Sequence, residues 1–260
     1  MVTHEGENMN FGGIIIGDEI MRGKRQDKHL AQLITTLGAR GLKLAWAEYI
    51  GDSPERITAT LKRTLAAGDV VFSFGGIGAT PDDHTRQCAA AAVGVKIALH
   101  PDAESEIRTR FGGETTPFRL QMGEFPVGSA IIPNPYNRIP GFSVGHHHFV
   151  PGFPVMAWPM VEWVLDTQYS HLFNAEPEGE ASIIVYESAE STLTPLMVEI
   201  ESRYRGLKVF SLPHMGEDGT RRHIELGVRG KPGEVALAMS DIKHGVGLLN
   251  GTWEEAKAGG

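Results

Sequence analysis

The sequence has little cysteine, no long apolar segment and no excess of basic residues. Cys88 is the only cysteine among 260 residues, which excludes a disulfide framework and leads us to expect a reducing, cytoplasmic setting. No apolar run approaches the length of about 20 residues that spans a bilayer, so we expect no membrane partner. The 32 acidic residues outnumber the 24 basic ones, so we expect no nucleic-acid partner, because such partners normally require a basic surface. Residues 1–10 are polar and acidic and do not resemble a secretory signal.

What the sequence does contain is a glycine-rich segment after an apolar run. Residues 69–74 are apolar and β-prone, which predicts a buried strand, and Gly75, Gly76 and Gly78 follow directly. An apolar helical pattern around residues 89–92 comes next, and we expect this helix to open with Asp82 and Asp83. A strand, a glycine loop and a helix start together present main-chain N–H groups that can bind a phosphate.

The two aspartates decide how this segment is interpreted. Asp82 and Asp83 would repel a phosphate unless a divalent cation lay between them, so the segment favours a metal-assisted phosphate site. It is not a P-loop, which needs Lys-Ser/Thr after its last glycine, and it is not a GxGxxG motif. The alternative is structural: the carboxylates only cap the helix, and the glycines only allow a tight turn.

Two earlier strands also end in acidic residues. The strand predicted over residues 11–16 is followed by Asp18 and Glu19, and the strand predicted over residues 42–49 is followed by Asp52. Helical patterns over residues 25–37 and after Ser53 separate the three strands, which predicts a parallel, doubly wound α/β sheet. Because parallel strands end at one edge of a sheet, we expect the carboxylates to share a metal and phosphate site there.

The remainder of the chain predicts a second phosphate-facing turn and a small additional domain. The segment Pro151-Gly152 precedes a helical pattern and again places main-chain N–H groups at the end of a strand. A polar break over residues 174–180 predicts a domain boundary, so we expect domains over 1–173 and 181–260. The second domain is predicted as a β-α-β-β-α unit without a chemical cluster.

Three adjacent histidines invite a metal-site interpretation. Neighbouring residues of a strand point to opposite faces, so only His146 and His148 of the run His146-His147-His148 can share an ion. No third ligand is near them in the sequence, and we expect a polar hairpin.

With these motifs assembled, the chain resembles the molybdopterin-binding fold family, and within it the N-terminal part of the competence/damage-inducible protein A (CinA-like) proteins. The motifs are Gly17-Asp18-Glu19-Ile20 with Gly23, Asp27, Gly51-Asp52, the segment from Gly75 to Thr85, Asn134, Pro140-Gly141-Phe142 and Pro151-Gly152-Phe153-Pro154. Their order and spacing hold over roughly the first two thirds of the chain. By the same resemblance, we expect the C-terminal deamidase domain of many members to be absent.

The resemblance implies a three-layer α/β sandwich plus a small α+β domain, and a small-molecule nucleotide or pterin bound at the strand ends. Glu19, Asp52 and Asp83 match positions associated with metal binding and catalysis, with Mg²⁺, Mn²⁺ or Co²⁺ as the cofactor. The substrate-binding positions implied by the motifs are Gly17, Asp18, Gly75, Gly76, Gly78, Thr80, Asp82, Thr85, Asn134, Pro151 and Gly152. A homo-oligomer is expected, because this fold often assembles through sheet edges or added domains.

The implied activity is hydrolysis of a nucleotide diphosphate such as ADP-ribose or FAD. The alternatives are a molybdopterin-binding or adenylyl-transferring protein of molybdenum cofactor biosynthesis, and a non-catalytic nucleotide-binding protein. Two departures bear on this choice. Asp27-Lys28-His29 stands where the family has Asp-x-Asn, and Met156 stands where a glutamate is expected.

Overall fold

The chain divides into two units, Met1–Phe173 and Asn174–Gly260, and strands alternate with helices over residues 11–111 of the first unit. The computed structural model describes residues 9–173, 179–216 and 221–256. The elements of the first unit are β1 (Phe11–Ile16), α1 (Asp18–Met21), α2 (His29–Gly38), β2 (Leu44–Ile50), α3 (Pro54–Ala67), β3 (Val70–Phe74), α4 (Thr85–Val93), β4 (Ile97–Leu99), α5 (Pro101–Phe111), α6 (Pro117–Gln121), β5 (Glu124–Pro126), β6 (Ala130–Ile132), β7 (Gly141–Val144), β8 (His147–Val150) and α7 (Pro154–Gln168).

A six-stranded sheet in the order β2-β1-β3-β8-β7-β6 forms the middle of the first unit. Strands β2, β1, β3 and β8 are parallel, and β7 is antiparallel to both β8 and β6. The ends of β1, β2, β3, β6 and β8 therefore meet the start of β7 at one edge of the sheet. The predicted α/β fold with a mostly parallel sheet is confirmed, while the short pair β4 and β5 was not predicted.

Apolar side chains on both faces of the sheet bury it between two layers of helices. Phe11 and Ile15 of β1 join a core with Leu33 of α2 and Val161 of α7. Alternate residues of the same strand face the other way, and there Ile14 packs in a second core with α3 and α4. All six residues of β1 are buried, as expected for a parallel strand covered on both faces. The result is a three-layer sandwich.

The helix after the glycine loop begins later than the sequence predicts. Helix α4 starts at Thr85, so Asp82 and Asp83 lie in the preceding loop and do not open the helix. The reason is a local turn: the Asp83 carboxylate accepts the N–H and the hydroxyl of Thr80 at 2.8 and 2.6 Å. The N–H of Thr85 donates to the carbonyl of Gly76 at 2.9 Å, which fixes the helix start.

Helix α2 likewise starts at His29, four residues after the predicted start, and it includes Gly38. The cause is Asp27, whose carboxylate accepts the N–H groups of His29 and Leu30 at 2.8 and 3.1 Å. Ser53 caps α3 as predicted, with its hydroxyl accepting the N–H of Arg56.

The second unit is a four-stranded antiparallel sheet packed against two helices. Its described elements are β9 (Gly179–Tyr186), α8 (Glu190–Arg203), β10 (Lys208–His214), β11 (His223–Gly230), α9 (Pro232–Leu248) and β12 (Thr252–Glu255), with strand order β10-β11-β9-β12. The predicted β-α-β-β-α unit therefore lacked one strand, β12, whose four residues are all exposed and carry no apolar alternation. Residues 174–178 of the predicted boundary lie outside the described residues, and residues 179 and 180 belong to β9.

No helix in the part of the chain that the structure describes combines the length and the apolar character needed to cross a bilayer.

Candidate functional site

A cavity of about 440 Å³ opens at the edge of the six-stranded sheet where the parallel strands end. Most of the predicted site residues line it: Gly17, Glu19, Asp52, Gly75, Gly76, Gly78, Thr80, Asp82, Asp83, Asn134, Pro151 and Gly152. The structure does not bring Asp18 and Thr85 to the cavity wall. Asp18 pairs with Arg22 at 2.6 Å, and the hydroxyl of the fully buried Thr85 donates to the carbonyl of Gly75 at 3.1 Å.

The glycine loop reaches the cavity as bare main chain because two of its positions exclude a side chain. Gly75 and Gly76 have φ angles of 102° and 69°, which residues with a side chain rarely adopt. A Cβ at Gly75 would collide with the carbonyl oxygen of Ile16, and one at Gly76 would collide with the hydroxyl of Thr85. The glycines are thus required by packing, and this same packing leaves the main chain facing the cavity.

Neighbouring strand ends hold Asp18 and Asp52 together through reciprocal hydrogen bonds. The N–H of Asp18 donates to the Asp52 carboxylate at 2.8 Å, and the N–H of Asp52 donates to the Asp18 carboxylate at 3.2 Å. Burial raises the pKa of Asp52, although the N–H of Asp18 acts in the opposite direction. The negative charges of Asp18, Glu19 and Asp82 raise this pKa further. Asp52 therefore lies in a negative environment that a cation would relieve.

The donor set of the cavity suits a hard divalent cation. Glu19, Asp52 and Asp83 all line it, and carboxylate oxygens are the ligands that Mg²⁺ and Mn²⁺ prefer. Among the residues that the structure describes, however, no three His, Cys, Asp or Glu side chains are arranged to hold a metal by themselves. Mg²⁺ is commonly held by one or two carboxylates together with substrate phosphates, and the cavity fits that mode.

Two arginines at the site were not predicted. Arg86 is 3% exposed, and its guanidinium donates to the carbonyls of Gly78 at 2.8 Å, Glu124 at 3.2 Å and Gln121. Arg86 therefore links the glycine loop to β5. The sequence feature that could have indicated this role is the presence of an arginine within the alanine-rich pattern of α4. Arg25 lines the cavity from the loop between α1 and α2, and nothing in its exposed, polar sequence context indicated this.

The opposite wall of the cavity is apolar and carries amides. Phe153 and Met156 come from the start of α7, and Asn137 comes from the loop between β6 and β7. The Asn137 amide donates to the Met156 sulfur at 3.3 Å. The buried Asn134 uses its amide to hold its own loop, with bonds to Ile139 at 2.9 Å and Tyr136 at 3.0 Å.

His29 lies behind this wall and does not line the cavity. Its ring is 3% exposed and stacks on Phe74 with centroids 4.5 Å apart. Nε2 donates to the carbonyl of Gly152 at 3.2 Å, and Nδ1 is a buried atom without a hydrogen-bond partner. Burial lowers the pKa of His29, which favours the neutral ring, although the hydrogen bond to Gly152 and the charge of Asp27 act in the opposite direction.

The histidine run lies in a hairpin formed by β7 and β8, as predicted, but the run is mostly buried, so the predicted polar character of this hairpin is wrong. His147 and His148 are 1% and 0% exposed, because β8 is an internal strand of the sheet. His146 and His148 do share a partner, as their spacing predicts, but it is the hydroxyl of Tyr169, at 2.9 Å from each ring. None of the three lines the cavity.

Comparison with known proteins agrees with this architecture. A family model described as "Probable molybdopterin binding domain" matches residues 12–171. A CinA-like protein from Anaeromyxobacter sp. (strain K) is 32% identical over 191 residues, which are 70% of this chain and 47% of that protein. A CinA-like protein from Chlorobium luteolum is 28% identical over 218 residues, which are 77% and 49% of the two chains. The chain thus spans less than half the length of each relative.

A solved structure is also similar. It is the protein CinA with unknown function from Thermoplasma acidophilum, with a TM-score of 0.55 and 27% identity. The similarity covers 60% of this chain and 97% of that one.

Proposed function

Because the chain belongs to the family of probable molybdopterin binding domains, we propose that its cavity binds a nucleotide diphosphate and hydrolyses it with a divalent cation. ADP-ribose and FAD are the proposed substrates, with Mg²⁺, Mn²⁺ or Co²⁺ as the cofactor. The products would be AMP and the remaining phosphorylated fragment.

The arrangement of chemical groups along the sheet edge is the observation that supports this proposal. Asp52 follows β2, Glu19 follows β1, and the loop with Asp82 and Asp83 follows β3. The apolar and amide wall comes after β8 and between β6 and β7, on the other side of β3 in the strand order. Neighbouring strands are about 4.8 Å apart, so three strand spacings separate β1 from β7 by about 15 Å. An elongated ligand with phosphates at one end and a ring at the other matches this division.

The chain's own residues have distinct parts in the proposed reaction. One or two of the carboxylates of Glu19, Asp52 and Asp83 would hold the cation together with the substrate's phosphates, and the bound cation would neutralise the diphosphate and lower the pKa of the attacking water. The glycine loop offers main-chain N–H groups where negative charge develops on the phosphate oxygens. Phe153 and Met156 offer apolar contacts to the ring of the substrate.

The direct test is to incubate the protein with ADP-ribose or FAD and each of the three metals and to follow AMP release. We expect release that EDTA abolishes and that Asp52→Asn or Asp83→Asn lowers by at least about 100-fold, as for a lost catalytic group. Asp102→Asn, an exposed aspartate of α5 outside the cavity, is the matched control. Absence of AMP with every metal would refute the hydrolase proposal.

The family match favours a second candidate, which is binding of molybdopterin or adenylyl transfer to it. At the ring end of the cavity, a pterin would contact the apolar side chains of Phe153 and Met156. Saturable molybdopterin binding that Asp52→Asn abolishes, without AMP release from ADP-ribose or FAD, would favour this candidate. Binding of ADP-ribose without turnover would instead indicate a nucleotide-binding protein without catalytic activity.

A further inference from the structure

All but one of the charged side chains that line the described part of the cavity are acidic. Four carboxylates line it, from Glu19, Asp52, Asp82 and Asp83, and Arg25 is the sole lysine or arginine among its described lining residues. Any phosphate that enters must therefore find its positive partners in a bound cation and in Arg25.

Arg25 lies between the two ends of the cavity. Its Nη1 is 3.8 Å from the carboxylate of Glu19, which follows β1, and its guanidinium carbon is 5.8 Å from the ring centroid of Phe153, which follows β8. The first distance is too long for a hydrogen bond, and the second is a contact with a ring face. The side chain is 56% exposed, so little desolvation opposes its movement towards a ligand.

We infer that Arg25 binds the phosphate nearest to the ring of the ligand. This assignment rests on the proposed function and specifies it further. The acidic strand ends, with their cation, would hold the distal phosphate. The planar guanidinium can donate two parallel hydrogen bonds to the phosphate that reaches the Phe153 side. Arg25 thus distinguishes a nucleoside monophosphate from the uncharged nucleoside.

The alternative is that Arg25 is a solvated partner of Glu19 and only moderates the local charge. Lys24 separates the two possibilities, because it precedes Arg25 in the same loop, is exposed and does not line the cavity. Removing either side chain's charge changes the net charge of the protein equally. Only the substitution of Arg25 removes a guanidinium group, with its paired hydrogen-bond donors, from the cavity.

The test is calorimetric binding of AMP and of adenosine, with Mg²⁺ and again with EDTA, to wild type, Arg25→Gln and Lys24→Gln. We expect Arg25→Gln to weaken AMP binding at least about 10-fold in both buffers, as for a lost charge-assisted pair. Adenosine binding should be equal in all three proteins, and Lys24→Gln should bind AMP like the wild type.

The outcomes separate this inference from the proposal on which it rests. AMP binding that is equal in wild type and Arg25→Gln, or weakened equally by Lys24→Gln, would overturn the assignment of Arg25 alone. Failure of the wild type to bind AMP or ADP-ribose in either buffer would overturn the proposed function and this assignment together. Partial recovery of AMP affinity in Arg25→Lys, which restores the charge without the fork, would support it.

Discussion

His29 packs between the Gly152 loop of the cavity wall and Phe74 at the end of β3. Its ring both stacks on Phe74 and donates to the carbonyl of Gly152. A Cβ at Gly152 would lie 3.4 Å from the Cα of Gly75, so these two loops are in contact. His29 therefore fixes one loop against the other without reaching the cavity itself.

We predict that His29→Leu lowers the affinity for AMP but has only a small effect on the free energy of unfolding. Leucine keeps the apolar contact with Phe74 but cannot donate to Gly152, so the free energy of unfolding should fall by only about 1 kcal/mol. Calorimetry with AMP and urea unfolding measure the two effects. Unchanged AMP affinity together with lower stability would show that His29 only packs the core.

The buried histidines of β8 predict sensitivity to acid. Burial lowers the pKa of His147 to about 4 and that of His148 to about 3. Both values lie below the unfolded pKa of about 6.5, so the unfolded chain binds more protons between these pH values. Above about pH 6.5 the two histidines therefore do not reduce the free energy of unfolding, and they reduce it progressively as the pH falls below that value.

We expect each of these histidines to lower the free energy of unfolding by up to about 1.4 kcal/mol per pH unit as the pH falls from about 6 to 5, because the unfolded residue is then mostly protonated and the folded one neutral. Urea unfolding at pH 7, 6 and 5 measures the slope. In His147→Gln, which can still donate to Thr64, the slope should be shallower by the contribution of one histidine, about 1 kcal/mol per pH unit between pH 6 and pH 5. A slope that is the same in this variant and the wild type would contradict the assignment.

At the scale of elements, the glycine loop between β3 and α4 allows a controlled test. Gly76 and Gly94 have φ angles of 69° and 72°, but a Cβ at Gly76 would collide with the Thr85 hydroxyl, whereas a Cβ at Gly94 would meet nothing within 4 Å. Substitution of either glycine would therefore introduce similar backbone strain, but only substitution of Gly76 would add a steric clash.

We predict that Gly94→Ala costs about 1 kcal/mol of unfolding free energy, and that Gly76→Ala costs at least about 2 kcal/mol and weakens ligand binding. Unfolding by urea and calorimetry with AMP provide the comparison. Equal effects of the two substitutions would mean that the loop adjusts without displacing Thr85.

The elements that the sequence predicted are those with strong local patterns. β1 and β3 are continuous apolar runs, and α3 has a serine cap, a proline start and a glycine end, so these were assigned nearly to the residue. The family resemblance is confirmed by the match over residues 12–171. The helix at Thr85 began later than predicted because the Thr80–Asp83 turn depends on side-chain hydrogen bonds that no periodicity encodes.

The site was predictable only where it coincides with the ends of strands. Glu19, Asp52 and Asp83 could be placed together because parallel strands end at one edge. Arg25 and Arg86 could not be found in this way. Their positions depend on how a loop folds back and on which distant carbonyls surround a buried guanidinium. Asp18 was placed correctly at the strand end, but its carboxylate is held by Asp52 and Arg22.

For the molecule as a whole, binding of the proposed cation among the four carboxylates of the cavity would also stabilise the folded state, because it would reduce the repulsion between them. We expect Mn²⁺ with AMP to raise the melting temperature by several degrees, since a ligand at 100 times its Kd adds about 2.7 kcal/mol. Asp52→Asn should lose most of this rise, and Asp102→Asn should retain it. An equal rise in both variants would place the cation elsewhere.

The strand order has a consequence for how this protein can diverge. The acidic end of the cavity is encoded by residues before position 84, whereas Asn137, Phe153 and Met156 of the ring end lie more than 50 positions later. The sheet brings the two stretches together only by inserting β8 beside β3. Under the proposed function, substitutions in the later stretch would alter which ring is accepted, while the earlier stretch would keep the proposed phosphate chemistry. A chimera exchanging only residues 133–156 should inherit ligand preference from one parent and metal dependence from the other.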